Sequence, residues 1–212
     1  MRFGWLGVAL VSAGLCLSAN DGSAATVDTI DVGTQISTFS NDVRGFWFTA
    51  PTDFWIVGID VPTDASSANF HAAVLRLPAN PPSFPSATST YDVLYDVRNQ
   101  ATAVSGLSIA VSSGDVIGVL GNRGDVNSYG SGPYVTSILG NPVTLKRFGT
   151  QNPLSSLSFN VPVWREPGGA ISRVFLTVSD MDPTAPVPLP AGFPMLLAGA
   201  GALLVLRRNR RA

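Results

Sequence analysis

From Thr26 to Asp182 the chain is written in short apolar runs separated by clusters of Gly, Pro, Asn, Asp and Ser. Runs of five to eight residues with such punctuation predict strands rather than helices. The predicted strands lie near Val27–Val32, Arg44–Ala50, Phe54–Val61, Phe70–Leu77 and Tyr91–Val97. Others follow near Leu107–Val111, Asp115–Leu120, Tyr134–Leu139, Val143–Phe148 and Arg173–Ser179. Two-residue alternation places Val174, Leu176 and Val178 on one face, and Trp55, Val57, Ile59 and Val61 on another. No stretch inside these limits keeps a helical period beyond two turns.

About ten short strands with polar turns predict an all-β domain: a two-sheet β-sandwich, jelly-roll-like, over residues 26–182. The aromatic cluster Phe46-Trp47-Phe48 and Phe54-Trp55 suggests a hairpin about Pro51-Thr52-Asp53. The proline-rich stretch Asn80–Ser86 reads as a loop, because its prolines cannot join a central ladder. Asp92 and Asp96, four apart on a strand, are expected on one solvent face, and Asp60 and Asp64 flank a turn at Pro62.

Charge narrows the partners. The 26–182 segment carries 8 Lys+Arg against 13 Asp+Glu, an acidic excess that the arginines at the two ends hide in the whole-chain count. Without a basic stripe, nucleic acid is not an expected partner. Cys16, the only cysteine, lies in the N-terminal apolar segment, so the rest has no thiol or disulfide chemistry.

Catalytic signals are sparse. His71 is the only histidine and sits in a predicted strand; Gly130-Ser131-Gly132 lacks the spacing of a nucleophile elbow. One histidine cannot anchor a zinc site without cysteines. Glu166, the only Glu, follows Trp164-Arg165 and precedes Pro167-Gly168-Gly169, which reads as a turn or as an acid beside a sugar-stacking ring. The segment Gly121–Gly132 reads as a long connection whose oxygen donors, Asp125, Asn122 and Asn127, are of the kind Ca²⁺ takes. Tyr129 and Trp164, with Trp47, are the exposed aromatic candidates for a glycan. Asp125, Asn127, Tyr129 and Trp164 are thus the ligand-contact candidates, Arg123-Gly124-Asp125 reads as a chance tripeptide, and no catalytic residue is assigned.

The ends carry a different kind of information. Residues 1–25 have one basic residue, an apolar run from Phe3 to Leu17 and small residues through Ser23-Ala24-Ala25, the pattern of a signal peptide removed before Thr26 by signal peptidase. Cleavage after Ala19 and lipidation at Cys16 are the alternatives, the latter disfavoured by Leu15. Residues 183–212 run through Val187-Pro188-Leu189-Pro190-Ala191, an apolar segment near 192–206, and the stop-transfer cluster Arg207, Arg208, Arg210 and Arg211. Prolines keep the first part extended, and the arginines hold the end on the cytoplasmic side. A helix from Ala191 to Leu206 would reach about 24 Å at ~1.5 Å per residue, short of the ~30 Å hydrocarbon core. A transient anchor fits this better than a permanent transmembrane helix, which remains the rival reading.

This ordered tail resembles the PEP-CTERM class of bacterial sorting signals, in the variant named for its VPLPA motif. The resemblance implies a Gram-negative source, an exosortase- or archaeosortase-like membrane protease as partner, transient passage through the inner membrane, and delivery to the cell surface or extracellular matrix. Phrases such as Arg44–Pro51 and Ser113–Gly118 look like those of uncharacterised exported domains with such tails, to which no activity attaches. The expectation is therefore a non-enzymatic exported surface or matrix protein, its loops meeting exopolysaccharide. The alternative is a secreted carbohydrate-binding or weakly carbohydrate-active protein.

Overall fold

Alternating apolar positions resolve into strands throughout the computed structural model, which describes residues 24–155 and 160–185. In chain order they are β1 Val27–Thr29, β2 Ser37–Ser40, β3 Val43–Thr49, β4 Phe54–Asp60, β5 Phe70–Leu77, β6 Asp92–Gln100 and β7 Val104–Val111. Then come β8 Val116–Arg123, β9 Val126–Gly130, β10 Tyr134–Ile138, β11 Asn141–Thr150, β12 Trp164–Arg165, β13 Ile171–Ser172 and β14 Phe175–Ser179. Among the described residues there is no helix, and none therefore long and apolar enough to cross a membrane. The signal peptide, the sorting motif, the apolar segment and the arginine cluster lie outside the described residues.

The strands form two antiparallel sheets within a compact unit, Ala25–Ala185. The small sheet runs β1-β14-β4-β7. The large sheet runs β10-β11-β3-β8-β5-β6, with β12 beside β11 and β9 joining β8, β2 and β13. Its central strands obey the two-residue rule on both sides. Phe46 and Phe48 of β3, Phe70, Ala72 and Val74 of β5, and Ile117 and Val119 of β8 face one core with Ile56, Leu176 and Val178 of the small sheet. Val43 and Trp47, Ala73, Leu75 and Leu77, Leu120 and Phe148 fill a second core with Leu154, Val161 and Val163. Burial on both faces explains the consecutive apolar residues Phe46–Phe48 of β3 and Ala72–Leu75 of β5.

Three local expectations are corrected. Phe46–Phe48 and Phe54–Trp55 do not form a hairpin. β3 pairs with β11 and β8, β4 with β14 and β7, so the Pro51 corner carries the chain from one sheet to the other. Phe48 and Phe54 then meet across the core, ring centroids 6.5 Å apart. Trp55 and Val57 do not share the buried face of Ile59 and Val61. The ladders of β4 skip Val57, and this bulge reverses the alternation, burying Phe54 and Ile56 before it and Ile59 after it. Asp92 and Asp96 do not share a face either. A shift opposite Val74/Leu75 sets Asp92 across from Arg76 and Asp96 across from Ala73.

Close packing in the large sheet depends on residues without a side chain. A Cβ on Gly45 would lie 1.7 Å from the Val119 carbonyl oxygen. A Cβ on Gly149 would meet Arg44 Cδ at 2.7 Å and the Trp164 ring at 3.0 Å. Gly149 is thus the floor on which an arginine and an indole rest.

Candidate functional site

The segment Gly121–Gly132, expected as a long connection, is mostly strand. β8 and β9 are joined by Gly124-Asp125 alone, with Arg123 paired to Val126. Gly124, at φ 60°, holds the first turn position, where a two-residue hairpin needs a left-handed residue. Asp125 is exposed at the tip. Asn127 is fully buried. Its Oδ1 accepts the Arg44 N–H at 2.9 Å, and its Nδ2 donates to the carbonyls of Phe39 at 3.0 Å and Asp42 at 2.7 Å. Three of its four hydrogen-bonding positions go to bracketing the turn between β2 and β3, so the buried amide serves the fold. No group of three or more His, Cys, Asp or Glu able to hold a metal occurs among the described residues.

The exposure expected of the aromatic candidates is also corrected. Tyr129, Trp164 and Trp47 are 7 %, 4 % and 2 % exposed. Their rings are occupied by neighbours. Tyr129 stacks on Phe39 at 5.8 Å and lies against the Arg147 guanidinium at 5.4 Å. Trp164 takes the Phe84 edge at 5.3 Å and the Arg44 guanidinium at 4.6 Å. Trp47 has Lys146 Nζ at 4.7 Å and Arg165 at 5.9 Å. None of these three rings leaves a broad face open for a sugar to stack on.

The fold sets these residues in two cation–aromatic groups on opposite faces of β11: Lys146, across from Trp47 of β3, meets the Trp47 ring with Arg165, whereas Arg147 meets Tyr129 of β9 and Arg44 meets Trp164 of β12. Glu166 joins through an ion pair with Arg147. Arg147 also donates to the Ala170 carbonyl at 2.8 Å. Burial pushes the Tyr129 hydroxyl above its ordinary range, opposed by the positive charge of Arg147 and Arg44. It stays protonated at neutral pH. The sequence pointed to the rings and the acid but not to the cations. Lys146-Arg147 reads as an ordinary solvent face until its strand is seen packed between aromatic neighbours.

Trp47, Pro133, Lys146, Arg147, Arg165, Glu166, Pro167 and Gly168 line a small pit of about 50 Å³. Two of these residues carry a buried N–H without a hydrogen-bond partner, the Trp47 indole Nε1 and the Arg165 Nε. Arg147 is paired with Glu166, whereas no carboxylate lies within ion-pair distance of Lys146 or Arg165 among the described residues.

A larger cleft of about 600 Å³ opens at the far end of β5. Arg76, Tyr91, Asp92 and Asp115 line it with the hydroxyls of Ser89 and Thr90. Arg76 pairs with Asp115 at 3.0 Å and donates to the Ala110 carbonyl at 2.7 Å. The turn carrying Asp115 is held by two bonds with Ala50, at 2.8 and 2.9 Å. Tyr91 donates to the Val161 carbonyl at 2.8 Å, fixing its ring in the wall.

The remaining singled-out residues are structural. Asp60 and Asp64 pair with the buried Arg123 and Arg173. Arg123 also donates to Val61 and Ala68 carbonyls, and Arg173 to the Gly33 carbonyl, so each guanidinium ties loops to the sheet. His71 accepts the Asn99 N–H at Nδ1, 3.2 Å away. Burial, with the nearby Arg98, lowers its pKa, so the imidazole is neutral. No nucleophile or carboxylate is among its hydrogen-bond partners.

No protein-family model, curated protein or solved structure matches this chain. Fold and site together define an all-β domain of two sheets, sandwich-like, with cation–aromatic contacts on both faces of the larger sheet around β11.

Proposed function

We propose that the chain is a non-enzymatic exported surface or extracellular-matrix protein, with a jelly-roll-like sandwich as passenger and a C-terminal sorting tail. The observation that carries this reading is the order of the tail: Val187–Ala191, an apolar segment, then Arg207, Arg208, Arg210 and Arg211. Its mechanism is delivery. Signal peptidase frees the N-terminus, and a short apolar segment holds the passenger briefly at the inner membrane. An exosortase-like protease then acts at the extended proline motif and releases the passenger toward surface or matrix.

The passenger has features that suit this route. β1 and β14 pair side by side, with the Thr26 N–H donating to Asp180 Oδ1 at 2.7 Å. Both ends of the domain therefore emerge at one edge, clear of the two cores. Stability comes from burial and internally paired arginines, with no dependence on a disulfide.

Mass spectrometry of the protein recovered from its native cells tests the reading. The expected species begins at Thr26 and has lost the apolar segment. An inner-membrane species ending at Ala212 would instead support a simple anchor.

A second reading, a carbohydrate-binding module, is favoured by the cleft of Arg76, Tyr91, Asp92 and Asp115. Its volume lies within the ~300–1,000 Å³ of small-molecule sites, and a held arginine beside carboxylates and hydroxyls suits a polyhydroxylated ligand.

A further inference from the structure

We infer that the pit over Trp47 is an oxyanion-binding site, recognising a carboxylate such as that of a uronic acid in an acidic glycan. The inference is independent of the export reading; only the choice of a glycan as the natural source rests on it.

Charge makes the first argument. The domain is acidic, with 8 Lys+Arg against 13 Asp+Glu, yet Lys146, Arg147 and Arg165 line one pit with a single acid, Glu166. Glu166 is committed to Arg147. Two cations remain uncompensated on the same indole, Lys146 at 4.7 Å and Arg165 at 5.9 Å. Their mutual repulsion is relieved by an anion between them.

Unmet donors make the second. A buried polar hydrogen without a partner is costly and calls for an explanation. Here Trp47 and Arg165, two residues that line the pit, each carry a buried N–H without a partner. Both are donors, and a carboxylate is an acceptor at two oxygens. A neutral hydroxyl would satisfy one donor but none of the excess charge.

Size makes the third. A pit of about 50 Å³ admits a carboxylate or sulfate headgroup, since a single water needs only ~10–15 Å³, but not a whole sugar ring. The ligand would therefore insert its charged group and lay the rest along the exposed rim of Pro133, Pro167 and Gly168.

Titration calorimetry tests this on the full chain, held in a detergent without a sugar headgroup, using trigalacturonate, maltotriose and inorganic sulfate as probes. Trigalacturonate is expected to bind at least about tenfold more tightly than maltotriose, and more weakly as salt rises. K146Q and R165Q should each weaken it about tenfold, the loss of one charge-assisted hydrogen bond or its equivalent. D125N, on the β8–β9 turn, should leave it unchanged. Lys146 is exposed and Arg165 half-buried, and neither pairs with a carboxylate among the described residues, so melting curves of the variants should stay close to the parent. If one variant unfolds, the other carries the test. Binding of sulfate but not trigalacturonate, sensitive to K146Q, would uphold the oxyanion site and remove the glycan as its source. Equal binding of trigalacturonate and maltotriose, no binding of either anion, or anion binding indifferent to both substitutions would overturn the proposal. None of these results alters where the protein is sorted, so the site and the export reading fail separately.

Discussion

Asn127 holds the backbone of Arg44, 83 residues away in the chain, by accepting its N–H at 2.9 Å. The same amide donates to the carbonyls of Phe39 and Asp42, so one side chain closes the corner between β2 and β3. Asn127→Ala leaves one buried and two partly buried backbone groups without their partner. A loss of about 3 kcal/mol is expected, from ~1–3 kcal/mol per unmet group with partial relaxation. Asn127→Asp keeps the acceptor but sets a carboxylate against two carbonyls, and should be at least as damaging. Urea unfolding measures both; a loss under about 0.5 kcal/mol would contradict the bracket role.

Trp164 supports the fold and offers no sugar platform. Its ring is closed in by Phe84, Arg44 and the Gly149 backbone. Trp164→Ala should cost about 3–5 kcal/mol, as for other buried large-to-small changes. Full stability retained with loss of sugar binding would contradict this.

Gly45 and Gly168 form a matched pair for substitution. Alanine at Gly45 would drive its methyl to 1.7 Å from the Val119 carbonyl, whereas nothing lies within 4 Å of a Cβ on Gly168. Gly45→Ala is expected to abolish cooperative folding, and Gly168→Ala to stay within about 0.5 kcal/mol of the parent. Circular dichroism melts separate the two outcomes.

His71 sets a pH dependence of definite sign. Burial first, and then Arg98, lowers its folded pKa below the ordinary 6.5. Above that value the imidazole is neutral folded or unfolded, and its contribution is complete. As pH falls below it, the unfolded chain takes up a proton that the folded chain resists, so stability declines until the folded pKa has been passed. A His71→Gln variant should lack this decline. An NMR titration midpoint above 6.5 would contradict the assignment.

Much of the fold was legible because its signals are local. The alternation of Val174, Leu176 and Val178 depends only on the pleat, and all three are fully buried as expected. The bulge at Val57 was not legible, because the register of β4 depends on two neighbours remote in sequence. β9 was missed because Asn127 and Ser128 look like loop residues, and only distant partners make their burial tolerable. At the site, the rings and Glu166 stood out by rarity. Lys146 and Arg165 gained meaning only when pairing of β11 with β3 and β12 gathered them over Trp47.

The central claim concerns the tail, and a transplant tests it most directly. Residues 186–212 are fused to an unrelated exported reporter in the native cells, and each fraction is analysed by mass spectrometry. The account expects the reporter in the surface or matrix fraction with its apolar segment gone, and held at the inner membrane when Pro188 and Pro190 are replaced by alanine. A reporter that keeps an intact tail at the inner membrane, or that goes to the same place with and without it, would contradict the account.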